Sequence, residues 1–328
     1  MESIITTFGE AMIRLAPPNQ RRLEQAHSLD VEIGGAELNT AVGLARLGRK
    51  VTWLSRLTDN SLGHLIANRA GETGVRNTDI LWTDQDRIGV YFLEFGAAPR
   101  AASILYDRKD SAMAQIQPGM FDWNRIFQMS KWFYVTGITA ALSASAAAAT
   151  LEALKVARAN GVTTILDPNY RAKLWSIDQA ADWLTAAVPY VDVLITNPED
   201  IERFLKIPSA NVEKGMQIAA ERFRFKAIAM TLREVQSVWR NSVTAIAFAN
   251  GEVLKTKKYD VEIVDRLGTG DAFAAGFIHG LYENNAQKGL DYGIALSALK
   301  HSVPGDFPWV TKDEVEGLLE GGGLRIKR

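Results

Sequence analysis

The alternation of short apolar runs with helical stretches is the feature of this chain that most constrains its fold. Runs of strand type lie at 4–8, 51–57, 132–135, 163–167, 193–196 and 227–231, and helical patterns lie at 37–47, at 62–73, in a stretch ending at Ala159 and from Asp271 onward. Strands that alternate with helices in this way build a parallel sheet covered by the helices. The order therefore predicts an α/β fold with a mainly parallel central sheet and helices on both faces.

Two segments, at about 12–33 and 87–108, break this alternation because their short strand patterns have no helices between them. Such strands can pair with each other as a small antiparallel flap. In α/β proteins ligands lie beyond the carboxyl ends of the core strands, so a flap rooted there would cover the ligand. On the pattern alone, plain surface hairpins explain these segments equally well. No linker-like stretch divides the chain, so we expect one domain over 1–328.

Composition narrows the class of ligand. The chain has 328 residues with a formal net charge of -1, so it has no global basic field to hold nucleic acid or a membrane surface. We therefore expect a small-molecule partner. Cysteine is absent, which excludes disulfides and thiolate ligands and fits a cytoplasmic protein. We expect no signal peptide, because the first residues lack a basic region followed by an apolar one.

The strongest candidate for chemistry is the segment 265–271, Asp-Arg-Leu-Gly-Thr-Gly-Asp, which leads into an apolar helical pattern. Gly268 and Gly270, on either side of Thr269, let the backbone turn sharply and point its N–H groups outward, at the spot that the positive end of the following helix also faces. This pattern predicts an anion cradle. Asp271 lies at its rim, where a carboxylate can take the proton of a hydroxyl that attacks a phosphoryl group. An ordinary turn with an Asp cap is the alternative.

A second candidate is the glycine pair Gly34-Gly35, between a flap strand and a helix. Backbone without side chains can approach a polyhydroxylated ligand closely, and Asn39 offers it both a donor and an acceptor. The alternative is a plain strand-to-helix turn in which glycine supplies a positive φ.

Together the two motifs, about 230 residues apart, make the chain resemble the ribokinase-like (PfkB) carbohydrate kinases over nearly its whole length. The late signature of that family is matched by Asp265, Gly268, Gly270 and Asp271. The early signature is matched by Gly34-Gly35-Ala36, Asn39 and the sequence Ala45-Arg46-Leu47-Gly48. The resemblance implies a ribokinase-like fold with a small β lid and a kinase that uses ATP and Mg²⁺. It also implies that the early turn binds sugar hydroxyls, and that the protein forms homo-oligomers.

Within the family the chain is similar to the 2-keto-3-deoxygluconate kinases, which implies phosphorylation of a sugar acid at its C6 hydroxyl. This similarity rests on the runs 103–108 and 167–171 and on the late segment 300–307. It places these residues around the sugar acid: Tyr91, Tyr106, Arg108, Arg171 and Asp306. An arginine fork can grip a carboxylate through two parallel hydrogen bonds, which suits an acidic sugar. Alternatively, Arg108, beside Lys109 and Asp110, is a solvated charge on a hairpin.

On the nucleotide side the resemblance assigns Asn169, Asn197, Thr231 and Arg233 to ATP. The family usually has Asn-x-x-Glu after the strand that ends at Thr196, whereas this chain has Asp200 at the acidic position. A shorter carboxylate would act on the metal through water. Many relatives carry a glycine-containing turn where this chain has Arg233, which offers a charged donor to phosphate or is a surface arginine.

Three rival functions stay open at this stage. One is a kinase of the same fold that acts on fructose, ribose or a nucleoside. Another is a nicotinamide-dependent dehydrogenase, but that needs Gly-x-Gly-x-x-Gly after the first strand, and Phe8-Gly9-Glu10-Ala11 does not supply it. The third is a sugar-acid-binding regulator without catalysis, which the retained Asp271 and its cradle argue against.

Overall fold

The computed structural model describes residues 4–208 and 211–322. In chain order its strands are β1 (Ile4–Phe8), β2 (Met12–Ala16), β3 (Asp30–Gly34), β4 (Val51–Leu54), β5 (Arg56–Thr58), β6 (Leu81–Thr83), β7 (Val90–Glu94), β8 (Ser103–Asp107), β9 (Ser130–Thr136), β10 (Thr163–Asp167), β11 (Val193–Thr196), β12 (Ala227–Val235), β13 (Arg240–Ala249), β14 (Glu252–Lys255) and β15 (Tyr259–Glu262). Its helices are α1 (Ala36–Arg46), α2 (Ser61–Glu72), α3 (Trp123–Met129), α4 (Gly137–Ala140), α5 (Ala144–Ala159), α6 (Ile177–Ala187), α7 (Pro198–Leu205), α8 (Val212–Phe223), α9 (Thr269–Tyr282), α10 (Ala286–Lys300) and α11 (Lys312–Leu319).

A nine-stranded sheet forms the centre of the molecule, in the order β14-β13-β12-β11-β10-β9-β1-β4, with β15 also paired to β13. All neighbours from β4 to β12 run parallel, and the pairings of β13 with β12, β14 and β15 are antiparallel. The predicted α/β class with a mainly parallel sheet is confirmed.

Helices cover both faces of this sheet because successive strand residues point to opposite sides. In β9, Phe133 and Val135 pack into one core and Tyr134 packs into the other, and all three are fully buried. Helices α1, α9 and α10 lie on the Tyr134 side, and α5, α6 and α8 lie on the other. Strands buried on both faces read as continuous apolar runs, which is why β10 and β11 begin and end where the sequence predicts.

A separate four-stranded sheet, in the order β3-β2-β7-β8, forms the lid. The pairs β2/β3 and β7/β8 are antiparallel hairpin-like pairs, and they join through a parallel contact between β2 and β7. The strand expected over 51–57 is two strands, since β5 leaves the central sheet after Ser55 and pairs with β6. Within the described ranges, no helix combines the length and apolar character needed to cross a membrane.

Candidate active site

A cleft of about 950 Å³ lies between the lid and the central sheet, and residues of both glycine motifs line it. The residues predicted from the sequence that line this cleft are Gly34, Gly35, Asn39, Tyr91, Tyr106, Arg108, Asn169, Arg171, Gly268, Asp271 and Asp306. Carboxyl ends of neighbouring parallel strands meet at one edge of a sheet, which is where such clefts form. The structure thus brings the early motif, the lid and the late motif to one place.

The late glycines form the start of helix α9. Gly268 has φ 77°, a left-handed conformation that favours glycine, and a Cβ there would clash with the carbonyl oxygen of Asp306. The first helical residues, Thr269 and Gly270, have N–H groups without an intrahelical acceptor, since a helix leaves its first amides free. A Cβ on Gly270 would meet no neighbouring atom, so this end of the helix is open. An open helix N-terminus of this kind binds anions.

Asp271 lies in the first turn of α9, and its carboxylate reaches the early motif. Asn39 Nδ2 donates to Asp271 Oδ2 at 2.7 Å, although the two residues are 232 positions apart in the chain. Burial raises the pKa of Asp271 to about 6, against the lowering effect of the bond from Asn39. A general base works best when its pKa lies near the working pH. The geometry therefore suits proton abstraction by Asp271.

Asp167, which the sequence reasoning did not single out as a site residue, adds negative charge beside this base. Burial and the nearby carboxylates of Asp271 and Asp200 raise its pKa to about 8. It accepts a hydrogen bond of 2.9 Å from the backbone N–H of Asn169, which has the left-handed φ of 41°. Its position as the last residue of β10, at the carboxyl edge of the sheet, is the signal by which it could have been found. Asp167, Asp200 and Asp271 thus form a group of neighbouring carboxylates at this edge, and a cation would relieve the repulsion between them.

The opposite wall of the cleft is a network around Asp306. Tyr91 donates its hydroxyl to Asp306 Oδ2 at 2.6 Å, and Arg14 donates to Asp306 Oδ1 at 2.7 Å. Gly34 lies against this pair, because a Cβ there would clash with the Asp306 carboxylate and the Tyr91 hydroxyl. Each carboxylate oxygen has a second lone pair, so Asp306 can still accept from a ligand hydroxyl.

Arg108 lies within the cleft with one tenth of its side chain exposed. Its Nη2 donates to the carboxylate of Glu10, which also accepts from Ser111, while Arg108 Nε is buried without a partner. The solvated-hairpin alternative does not describe this placement. Arg108 thus places a guanidinium, held by Glu10, in the wall of the cleft. Tyr106 packs beside Arg108, with its ring centroid 5.7 Å from the guanidinium carbon.

Arg171 and Lys173 bring further positive charge from the loop after β10. Arg171 lines the cleft and is exposed. Lys173 also lines it, donates to the carbonyl oxygen of Ile104 on the lid at 3.2 Å, and lies 5.8 Å from the centre of the Tyr106 ring. This loop therefore contacts the lid across the cleft.

The residues predicted on the nucleotide side lie outside this cleft, except Asn169. Asn197 caps helix α7, accepting from the backbone N–H of Asp200 at 2.8 Å and donating to its carboxylate at 2.9 Å. Asp200 is buried, with Arg203 3.7 Å away. Among the described residues no group of three or more His, Cys, Asp or Glu side chains is arranged to hold a metal ion. A cation at Asp200 would thus need water or phosphate oxygens to complete its coordination.

Thr231 and Arg233 lie on β12, opposite Ala245 and Val243 of β13. The pKa of Arg233 is lowered, first by partial burial and then by the like charge of Arg266 in the late motif. Neither arginine forms an ion pair within the described ranges. Two unneutralised guanidinium groups near the cradle suit the charge of a polyphosphate.

Sequence reasoning missed Glu10, Arg14, Lys173 and Arg266 as site residues. Glu10 follows β1 at the carboxyl edge of the sheet, and that position was its available signal. Arg266 lies inside the recognised motif. Arg14 has no local signal, because its partners are 251 and 292 positions away in the chain.

Comparison with known proteins adds four findings to this geometry. Residues 3–307 match the family model of the pfkB family carbohydrate kinases. A 2-dehydro-3-deoxygalactonokinase of Haloferax volcanii is 38% identical over 329 residues, covering 100% of both chains. A 5-dehydro-2-deoxygluconokinase of Bacillus subtilis is 27% identical, covering 96% of this chain and 95% of its own. The crystal structure of 2-dehydro-3-deoxygluconokinase from Thermotoga maritima matches with TM-score 0.94 at 38% identity, covering 98% of this chain and 100% of the other.

Proposed function

The chain belongs to the pfkB family of carbohydrate kinases, and on this premise we propose that it transfers the γ-phosphoryl group of ATP to the C6 hydroxyl of 2-keto-3-deoxygluconate. Its fold is the ribokinase-like α/β fold that the resemblance implied. One observation carries the proposal: Arg108, with only one tenth of its side chain exposed, lines the same cleft as Asp271 and Gly268 at the start of α9.

In this proposal Asp271 takes the proton of the sugar hydroxyl while Asn39 holds the carboxylate in place. The backbone N–H groups of Gly268, Thr269 and Gly270 stabilise the charge on the phosphoryl group during transfer. Mg²⁺, when bound, neutralises phosphate charge, and Asp200 would hold it through water. Asp200 and Asp167 fit a cation in this region, because Asp167 is close enough to Asp200 and Asp271 for their negative charges to repel one another, and a cation would offset that repulsion.

The charges lining the cleft favour an acidic sugar. Four basic side chains line it, namely Arg108, Lys109, Arg171 and Lys173, against three carboxylates, Glu10, Asp271 and Asp306. Asp306 is also neutralised from behind by Arg14. The excess positive charge suits the carboxylate of a sugar acid, which neutral sugars lack. Gly34, Gly35, Tyr91 and Tyr106 then contact the rest of the sugar.

On the nucleotide side we propose that Asn169, Asn197, Thr231 and Arg233 contact ATP, together with Arg266. Support comes from the left-handed backbone at Asn169, since strained non-glycine conformations concentrate at ligand sites. Arg233 and Arg266 support the same assignment, because neither guanidinium forms an ion pair within the described ranges.

The relatives' names divide between two stereochemistries of the acceptor. The Haloferax volcanii relative is named for the galactonate and the Thermotoga maritima structure for the gluconate, at the same identity of 38%. All three names reported above denote kinases of deoxy sugar acids, which favours this class over fructose or ribose.

An ADP-release assay over a panel of acceptors tests the proposal. We expect kcat/KM on 2-keto-3-deoxygluconate at least about 10-fold above that on fructose or ribose, because one charged hydrogen bond is worth about that factor. The galactonate epimer belongs in the same panel. A higher kcat/KM on a neutral sugar would mean that the proposed substrate is wrong and that the neutral sugar is the substrate. If no acceptor leads to ADP release, a non-catalytic sugar-acid-binding regulator is favoured. Phosphorus-coupled NMR of the product identifies the carbon that carries the phosphate.

We also propose that the protein is cytoplasmic and forms a homo-oligomer. The outer face of the lid carries apolar side chains from all four strands, of which Val31 is 47% exposed and Leu105 is 61% exposed. A contiguous apolar face of this kind favours association. Light scattering after size exclusion gives the mass, and a monomer at micromolar concentration would contradict the oligomer.

A further inference from the structure

Arg14 lies on lid strand β2, yet it is buried behind the wall of the cleft and does not line it. Only 3% of its side chain is exposed. The two terminal nitrogens donate to two different carboxylates, Nη2 to Asp265 Oδ2 at 2.6 Å and Nη1 to Asp306 Oδ1 at 2.7 Å. Its guanidinium also lies 5.3 Å from the ring centre of Phe95. One planar group therefore joins two carboxylates that lie 41 residues apart near the end of the chain.

The Asp265 arm of this bridge shapes the anion cradle. Asp265 Oδ1 accepts from the backbone N–H of Leu267 at 3.0 Å, which fixes the turn that precedes Gly268. Asp265 Oδ2 accepts from the backbone N–H of Gly305 at 3.1 Å as well as from Arg14. The carboxylate that sets the direction of the cradle is thus itself held by Arg14.

The Asp306 arm shapes the wall that faces the sugar. Asp306 accepts from Tyr91 and lies against Gly34, so the early motif and the lid tyrosine both rest on this carboxylate. The backbone of Asp306 packs directly on Gly268, where it leaves no room for a Cβ. The sugar wall and the cradle are therefore connected in two ways, directly through this backbone packing and the bond from Gly305 to Asp265, and through the side chain of Arg14 and its two carboxylates.

The charge of this group is balanced within the fold. Burial acts to lower the pKa of Arg14, but the attraction of Asp306 and Asp265 outweighs it and raises the pKa above the ordinary value. Lys300 is fully buried and donates to the carbonyl oxygen of Val303 at 2.9 Å and to that of Asp265 at 3.5 Å. The positive charges of Arg14 and Lys300 thus balance the negative charges of Asp265 and Asp306. A planar fork holds two acceptors in fixed geometry, whereas an ammonium does not.

We propose that Arg14 is a positioning residue that sets the cradle and the sugar wall at the distance phosphoryl transfer requires. This inference rests on the proposed function. Because Arg14 contacts neither substrate, its loss leaves the binding of each nearly unchanged and reduces the rate at which the bound pair reacts. Transfer between two bound groups depends steeply on their separation, and a displacement of about 1 Å costs about 100-fold in rate.

The deciding variant is Arg14→Lys, which keeps a positive charge beside the carboxylates. We expect kcat to fall about 100-fold, while the KM of the sugar acid and the KM of ATP each change by less than about 3-fold. The matched control is Arg56→Lys. Arg56 bonds to Asp86 at 2.7 Å and to the carbonyl oxygen of Ala112 at 2.9 Å, both side chains of that pair are 14% exposed, and Arg56 does not line the cleft. We expect its kcat to stay within about 2-fold of the wild type.

A purely structural role would lower the melting temperature of both variants and the kcat of neither. Wild-type kcat in folded Arg14→Lys would overturn the inference, and so would a raised sugar KM with unchanged kcat, which indicates direct contact with substrate. Arg14→Met, which removes both bonds, should lower kcat at least as much if it folds. If the wild type prefers another sugar, the substrate assignment fails and the same comparison is made with that sugar, so the two failures are distinguishable.

Discussion

The sugar-facing wall and the nucleotide-facing side of the cleft are held together in different ways. In the wall, Arg14 bonds to Asp306 across 292 positions of the chain, and Asn39 bonds to Asp271 across 232. On the nucleotide side, Asn197 bonds to Asp200 only three positions away. Local bonds fix a turn but not its distance from other segments. The wall is therefore held by bonds between distant segments, whereas the bond between Asn197 and Asp200 fixes only the start of α7.

Removing the proposed base tests one end of the long-range bond between Asn39 and Asp271. Asp271→Asn keeps the size of the side chain but cannot accept a proton, so we expect kcat to fall about 10²-fold to 10⁴-fold with the fold intact. Single-turnover rates and circular dichroism measure the two effects. Near-normal turnover in a folded variant would remove Asp271 from this role.

The next largest effect is expected at the sugar-acid contact. Arg108→Ala removes a charged donor, so we expect the KM of the sugar acid to rise about 10-fold to 100-fold with little change in the KM of ATP. Arg87→Ala is the control, since Arg87 pairs with Asp107, the residue before Arg108, is 41% exposed and does not line the cleft. Equal effects of the two variants would show that lid charge, and not contact with substrate, sets the KM.

The pH dependence of kcat comes third. Asp271 must be deprotonated to act as a base, and burial raises its pKa to about 6, so we expect kcat to fall about 10-fold for each pH unit below 6. Asn39→Ala removes a bond that favours the charged carboxylate, so this acid limb should move to higher pH. A flat profile between pH 5 and 7, with the protein still folded, would contradict the assignment.

The smallest effect is expected on the nucleotide side. Arg233→Ala should raise the KM of ATP about 5-fold and leave the KM of the sugar acid unchanged, because one exposed charge contributes about 1 kcal/mol. Arg222→Ala is the control, since Arg222 lies on α8 and contacts the carbonyl oxygen of Leu205. A kcat loss in Arg233→Ala as large as that in Asp271→Asn would contradict the expectation that the nucleotide side affects ATP binding and not the rate of transfer.

The sequence predicted the parts of the molecule that depend on local patterns. Strands β10 and β11 have the predicted bounds because fully buried runs are continuous and end abruptly. Strand β12 extends four residues past the predicted Thr231, because pairing with β13 holds its polar end in the sheet. The cradle and the early glycines were found because tight turns require particular residues at fixed spacing.

The connections between these parts could not be predicted. Glu10 and Arg14 each depend on a partner far along the chain, and no local spacing indicates it. Arg108 shows the same limit, because the sequence left it open between a solvated charge and a cleft residue. Its contact with Glu10 and its low exposure, both visible only in the structure, identify Arg108 as a cleft residue and not a solvated charge.

The bond between Asn39 and Asp271 also bears on how the protein emerges from the ribosome. Helix α1 is made early, but the carboxylate that its asparagine holds is added 232 residues later. Since synthesis proceeds at about 5 to 20 residues per second, Asn39 spends roughly ten seconds or more without Asp271. A prematurely terminated polypeptide that ends before α9 would therefore lack both Asp271 and Asp306, the carboxylate at the centre of the sugar wall.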